Sequence, residues 1–506
     1  MNSVSSRTRL GLDILGVALV AGVAGDALLR ATPWGLNALL CTGILVGGVV
    51  WLVHRHTLRP GPDAGWLGIT ALLLAAAFLR RDAAVLMRLD ILALFITLCV
   101  AAASLQGERV RTWSLVDYLR TGVTATAGSI AGGILLLGRD VQWREFPRTD
   151  RLRTARAVLL GVVIAAPLLV IFAALFASAD QVFGNVLGNL FAFDVTSVVS
   201  HTVLFCFWAA ITAGYLRWSL LGRPIALPTA VEGGNVRLGL VPLTTALGLL
   251  IALFLLFDVV QLRYFFGGAA LVQSTTGLTY AEYARQGFFQ LVAASALVLP
   301  VLLGADFLTR GGPTALVHSF RRLAIVLLAL LAVIMASALG RMRLYVDAFG
   351  LSEVRLYATA FMILLLGVFA WFAWTVLRGM RQRFGFGVLM QGLGVLAALH
   401  VMNPDAFIAR TNLNRLHSSA ERPFDAAYAL SLSADAVPNL LDELPRLAAP
   451  DQRVLACGLV KRWNSDTVDW RTWNLSRAHA RALITHNAAT LRQRCAAAIR
   501  ELHNGH

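Results

Sequence analysis

At 506 residues, 58% hydrophobic and only 14% charged, the chain is too apolar for a soluble protein, in which roughly 25% charged residues are usual. Its net charge of +16 is nearly all arginine, Lys461 being the only lysine. The basic residues stand at the ends of apolar segments, which excludes a nucleic-acid binder and fits membrane topology and anionic headgroups.

The apolar runs are long enough to cross a bilayer as helices, so the fold class is all-α and polytopic, with about twelve spans. Arg7 and Arg9 precede the first run as in a signal peptide, but the many spans behind it favour an uncleaved helix. The first six spans are expected at roughly 11–29, 34–53, 64–79, 89–105, 119–138 and 157–179. The next six fall at roughly 198–220, 240–262, 287–308, 320–340, 355–377 and 385–402. The third, fifth and twelfth are short or rich in small residues. Between the sixth and seventh, 178-SADQVFGNVLGNLFAFD-194 carries apolar residues at helical spacing, as in an interfacial helix. This divides the chain into N-terminal helices (1–156), a core membrane region (157–402) and a polar tail (403–506).

Arginine asymmetry orients the chain. The 139–156 loop holds six arginines and Asp180–Ser197 holds none, which puts 139–156 in the cytoplasm of a bacterial inner-membrane protein and the tail in the periplasm. Counting backward puts the N-terminus outside, against its two arginines. One early span is therefore miscounted, or the early helices are weakly oriented.

The tail carries thirteen Lys/Arg against ten Asp/Glu. Pro438 stands near a helix start and Leu440, Leu441, Leu444 and Leu447 form a stripe, so a small helical domain is expected. Trp463, Trp470 and Trp473 would close its core or rest at the lipid interface. Cys41, Cys99 and Cys206 lie in apolar segments. Cys457 and Cys495 share the tail and form a candidate disulfide, against the alternative that Cys457 is a core thiol.

The sequence contains no GK[ST], HExxH, GxSxG or CxxC. His54 and His56 are two apart and share no helix face, and the other membrane histidines are isolated. No metal or cofactor is expected. The matches to GxxxG at 128–132 and 184–188 argue for close helix packing only.

The charges that stand out are at one face, at the ends of spans eight to eleven: Asp258, Arg263, Glu282, Arg285, Arg341, Arg343, Asp347, Glu353 and Arg355. Intramembrane ionisable residues are candidates for function, and arginine forks suit phosphate or carboxylate. The structural alternative is that acid–arginine pairs merely lock the helix ends.

The stretches LFDVVQLRYFFGG, YAEYARQGFFQL, ALGRMRLYVDAFGLSEVRLYA and NPDAFIARTNL resemble the bacterial membrane-protein family of domain of unknown function 4173, related to family 4153. SADQVF, YALSLSADAVPNLL and DWRTWNLSRAHA fit the same pattern. The resemblance implies a multi-span membrane protein and supplies no reaction.

Three functions remain. The first is recognition or transport of an anionic envelope substrate, free or lipid-linked, at the outer face, with Asp258, Glu282, Asp347 and Glu353 orienting the arginines. The second is a scaffold with structural charge pairs, whose tail binds an envelope protein. The third is an enzyme using Asp258 or Asp347 as general base, for which no nucleophile or metal is in view. Membrane lipids are partners in every case.

Overall fold

A computed structural model of the chain describes residues 5–145, 195–222, 239–276, 288–418, 424–463 and 469–504, with scattered helical positions between 158 and 183. Residues 261–276 and 497–504 are described as backbone. The expected sixth span and the interfacial helix after it lie largely outside the described residues. The chain is an all-α polytopic membrane protein, 87% helical and without a strand among the described residues.

The membrane part comprises α1 (Ser6–Leu29), α2 (Leu36–Arg55), α3 (Ala64–Arg80), α4 (Ala84–Leu105), α5 (Leu115–Leu135), α6 (Val195–Leu220), α7 (Leu240–Thr276), α8 (Phe288–Leu308), α9 (Thr314–Phe349), α10 (Glu353–Thr375) and α11 (Phe384–Met402). Ten helices are long and apolar enough to cross a membrane, and α3 is a shorter apolar helix.

The bundle has two ends, each defined by polar contacts. At one, the loop end, Asp63 accepts from the Val110 N–H (3.1 Å), Gln106 donates to the Trp218 carbonyl (2.6 Å) and Arg381 pairs with Asp306 (2.7 Å). At the other, the tail end, His201 meets Asp26 (2.6 Å), His400 meets Asp90 (2.8 Å) and Leu36 N–H donates to the Trp473 carbonyl (3.0 Å).

Helix α5 covers the expected fifth span. It starts at the loop end with a capping box between Ser114 and Asp117, and its Tyr118 packs on Gly385 in the first turn of α11. It continues as a π-helical turn, Leu136–Asp140. There the Asp140 carboxylate accepts from Arg7, at the start of α1, and from Arg217, at the end of α6. Both termini of α5 thus make their contacts at the loop end, while Leu115–Asp140 is among the ten helices long and apolar enough to cross a membrane. Thr124, Gly128, Gly132 and Gly133 are buried, and a Cβ on Gly132 would stand 2.8 Å from the Gly214 Cα, so α5 and α6 touch backbone to backbone. Val116, Leu119, Val123, Ile130 and Ile134 are left exposed on the opposite side. The Arg7–Asp140 pair puts the N-terminus at the same end of the bundle as Asp140.

The tail forms α12 (Pro404–Ser418), α13 (Ala426–Ser431), α14 (Val437–Glu443), α15 (Ala449–Trp463), α16 (Leu475–His486) and α17 (Ala488–Asn504). Ile408, Leu440, Leu444, Leu455, Leu459 and Ile484 form its core, which is continuous with Leu351 and Leu356 at the α9–α10 turn. Leu447 is buried with them and Leu441 packs at the edge. Cys457 on α15 and Cys495 on α17 are joined, their Cα atoms 5.0 Å apart. Trp463 packs against this core, whereas Trp470 and Trp473 are exposed.

Candidate functional site

The nine charges singled out by sequence do not form one cluster. Asp258 lies on α7 with its carboxylate buried, and neither oxygen has a hydrogen-bond partner among the described residues. Arg263 lies further along α7, in the part described as backbone, and Glu282 and Arg285 fall outside the described residues. Arg341, Arg343 and Asp347 follow one another along the last turns of α9, Arg343 and Asp347 being exposed.

Glu353 and Arg355 open α10 but serve different surroundings. The Glu353 N–H donates to the Tyr428 hydroxyl of α13 (2.9 Å). The Arg355 guanidinium bonds the Gly350 carbonyl and stacks on Tyr345, 3.9 Å from its ring centroid. Among the described residues it has no carboxylate partner.

Arg355 lines a cavity of about 220 Å³ between the α9–α10 turn, α12 and α13. Ser352, Asn412, Arg415, Asp425 and Tyr428 share its wall. Asn412 holds the turn on both sides, accepting from the Leu351 N–H (2.7 Å) and donating to the Leu351 carbonyl (2.8 Å). Gly350 is required there: its φ is +81°, and a Cβ would meet Arg415 at 2.5 Å. Arg415 in turn donates to the Asp347 carbonyl (2.6 Å). Burial, with the nearby Glu353 charge, holds the Tyr428 hydroxyl above its ordinary pKa, so it remains a donor.

A second polar layer docks the tail onto the α3–α4 turn. Arg477 pairs with Asp82 (2.6 Å) and Arg81 with Asp435 (3.4 Å). Asp435 also accepts from the Asp82 N–H (2.7 Å) and the Ser476 hydroxyl (2.6 Å). Asn474 caps α16 while its amide donates to the Phe78 and Arg81 carbonyls, satisfying the open end of α3. Burial raises the pKa of Asp82 against the pull of Arg477. Burial also raises that of Asp405, which accepts from the Ser433 N–H (2.9 Å) and has no partner for Oδ1 among the described residues.

Sequence reasoning named neither Tyr428, Asn412 and Arg415 nor the junction pairs. Most of them lie inside stretches that carried the family resemblance: Asn412 in NPDAFIARTNL, Tyr428 and Asp435 in YALSLSADAVPNLL, Arg477 in DWRTWNLSRAHA. Those separated stretches meet at the tail end. No group of three His, Cys, Asp or Glu side chains suited to a metal occurs among the described residues. The wall carrying Arg355, Ser352 and Tyr428 offers hydrogen-bond donors of the kind an oxyanion takes.

A family model described as a domain of unknown function, DUF4153, matches residues 68–443. The match is to this family rather than to the related 4173 that the motifs resemble. No curated protein and no solved structure matches the chain.

Proposed function

The chain belongs to the DUF4153 family of domains of unknown function, and from that premise we propose that it recognises an anionic group, phosphate or carboxylate, in the pocket between α10 and α12. The observation that carries this is Arg355, a half-buried guanidinium on a cavity wall with no carboxylate partner among the described residues. A guanidinium fork suits bidentate oxyanions. The protonated Tyr428 hydroxyl and Ser352 add donors on the same wall. Of the nine charges first considered, Arg355 is the one this reading retains as a ligand-binding residue.

The pocket opens at the tail end, which this reading assigns to the periplasmic side of a bacterial inner membrane. The opposite end, where Asp140 stands, is where the arginine-rich stretch 139–156 of the sequence begins, which supports that assignment. The bridge between Cys457 and Cys495 fits an oxidising compartment. An envelope substrate, free or carried on a lipid, is the class of ligand that such a pocket meets.

Thermal unfolding of the purified full chain tests the reading with two probes, inorganic phosphate and vesicles containing phosphatidylglycerol. A ligand at a hundred times its Kd stabilises by about 2.7 kcal/mol. Phosphate should raise the unfolding temperature of the wild type and of the exposed-site control Arg343→Gln, and leave Arg355→Gln unmoved. An effect with vesicles alone assigns the anion to a lipid headgroup. An equal response of Arg355→Gln to either probe overturns the proposal.

A second reading, a rigid membrane scaffold for an envelope protein, draws on the junction. Asp82 and Asp435 are each engaged by an arginine there, as structural pairs would be.

A further inference from the structure

The stretch leading into α16 is built inside out. Its polar side chains turn inward, onto the ends of membrane helices. Arg471 donates to the Ala27 carbonyl near the end of α1 (2.6 Å), while Asp469 pairs with the same guanidinium (2.6 Å). Asn474 donates to the Phe78 and Arg81 carbonyls at the end of α3, and Ser476 to the Arg80 carbonyl (2.7 Å). Arg477 reaches the Trp34 carbonyl (3.2 Å) in the turn between α1 and α2. The apolar side chains between them face out: Trp470 is 59% exposed, Trp473 42% and Leu475 53%. A surface facing water has the opposite order, with charge outside and large apolar groups within.

We propose that Trp470, Trp473 and Leu475 form a lipid-facing foot of the tail, seated at the boundary between headgroups and hydrocarbon in the leaflet at the tail end. Apolar residues scattered singly on a surface need no explanation, but grouped ones do. Phe407 and Val454, the other large apolar residues exposed in the described tail, stand singly. The level of the group is set by its bonds. Helices α1 and α2 are long and apolar enough to cross the membrane, so the turn joining them lies at the bilayer surface. The Leu36 N–H at the start of α2 donates to the Trp473 carbonyl (3.0 Å), and a Cβ on Gly35 would clash with that same oxygen. The foot therefore stands level with the turn. The lipid-facing surface of the spans, with Val23 on α1 and Leu40 on α2 exposed, runs up to that level. Charge selects lipid over a protein partner: Arg471 is neutralised by Asp469 and Arg477 by Asp82, which leaves the face little to match against a charged surface. An indole, apolar with a single N–H donor, suits that boundary.

Spin labelling tests this on the full chain in phosphatidylcholine nanodiscs, with Cys41, Cys99 and Cys206 replaced by alanine. A nitroxide on Trp470→Cys or Leu475→Cys should collide more often with oxygen, which concentrates in lipid, than with a water-soluble nickel chelate. The control is Val454→Cys, exposed on α15, which packs on other tail helices; it should show the reverse. Access of the chelate to the two foot positions equal to its access at Val454→Cys overturns the proposal. So does shielding from both agents, which would assign the face to a protein partner or a second copy of the chain. Fluorescence gives a second readout without introduced cysteines. Lipids brominated near the headgroup should quench the wild type, and the double variant Trp470→Phe, Trp473→Phe should lose quenchable emission. Trp463 packs against the tail core, so Trp463→Phe should lose only emission that those lipids leave untouched. Quenching unchanged in the double variant also overturns the proposal.

Discussion

Arg7 and Asp140, 133 positions apart in the chain, stand 2.5 Å from each other, and with Tyr118 packed beside Gly385 this puts both ends of α5 at one end of the bundle. Cysteines introduced on either side of α5 report this directly. Glu108 and Gly138 are exposed; in a background with Cys41, Cys99 and Cys206 replaced by alanine, Glu108→Cys and Gly138→Cys should label alike. Both should resist an impermeant thiol reagent in intact cells and react after lysis. Opposite behaviour of the two would mean that α5 crosses the bilayer.

Asp140 and Asp258 should respond oppositely to loss of charge. Asp140 is buried between two arginines, and leaving such charges unpaired costs about 3–5 kcal/mol. The sequence led us to expect a buried arginine at Asp258 as well, yet its carboxylate has no partner among the described residues. An unpaired buried charge is itself a cost, so Asp258→Asn should not lower the unfolding temperature while Asp140→Asn should. Equal destabilisation would reveal a cation held by Asp258.

The tail junction should strengthen on mild acidification. Burial raises the Asp405 pKa above its ordinary 3.8, Asp435 and Asp82 add to this, and the Ser433 hydrogen bonds oppose it. For an acid raised on folding, the ionised form costs stability above the folded pKa. That cost is relieved as pH falls through the folded pKa toward 3.8. Asp405→Asn should therefore be more stable than wild type at neutral pH, the difference closing as pH falls toward 3.8. A difference independent of pH would remove Asp405 as its source.

Thiol counting should separate the tail cysteines from the rest. Denatured protein alkylated without reduction should show three free thiols, Cys41, Cys99 and Cys206, out of five. Prior reduction should expose all five and lower stability by about 3–4 kcal/mol, the entropy of closing a loop of 38 residues. Five thiols without reduction would mean that the bridge is absent in cells.

The long spans were legible because each apolar run declares its own environment, whatever its neighbours. For helix α5, whose window has the lowest hydropathy of the ten, 1.4, the span was legible but the meeting of its two ends at one end of the bundle was not. That placement depends on Gly132 meeting Gly214 and Asp140 meeting two arginines, contacts made with helices far away in the chain. The pocket was half legible for a similar reason. Arg355 stands out beside an apolar run, whereas Tyr428 and Arg415 look like ordinary tail residues until α12 and α13 fold back onto the α9–α10 turn. The Asp82–Arg477 pair spans 395 residues and leaves no local sign.

The placement of α5 also bears on how the protein is made. An insertion machinery that reads segments as they emerge meets, at Leu115–Asp140, a stretch apolar enough to be threaded. The partners that hold its two ends together at one end of the bundle are not all present at that moment: Arg7 has been synthesised, but Arg217, Gly214 and α11 have not. The final orientation of α5 must then be reached after the later helices arrive, so chains stopped before Arg217 should carry that segment in a different arrangement from the finished protein.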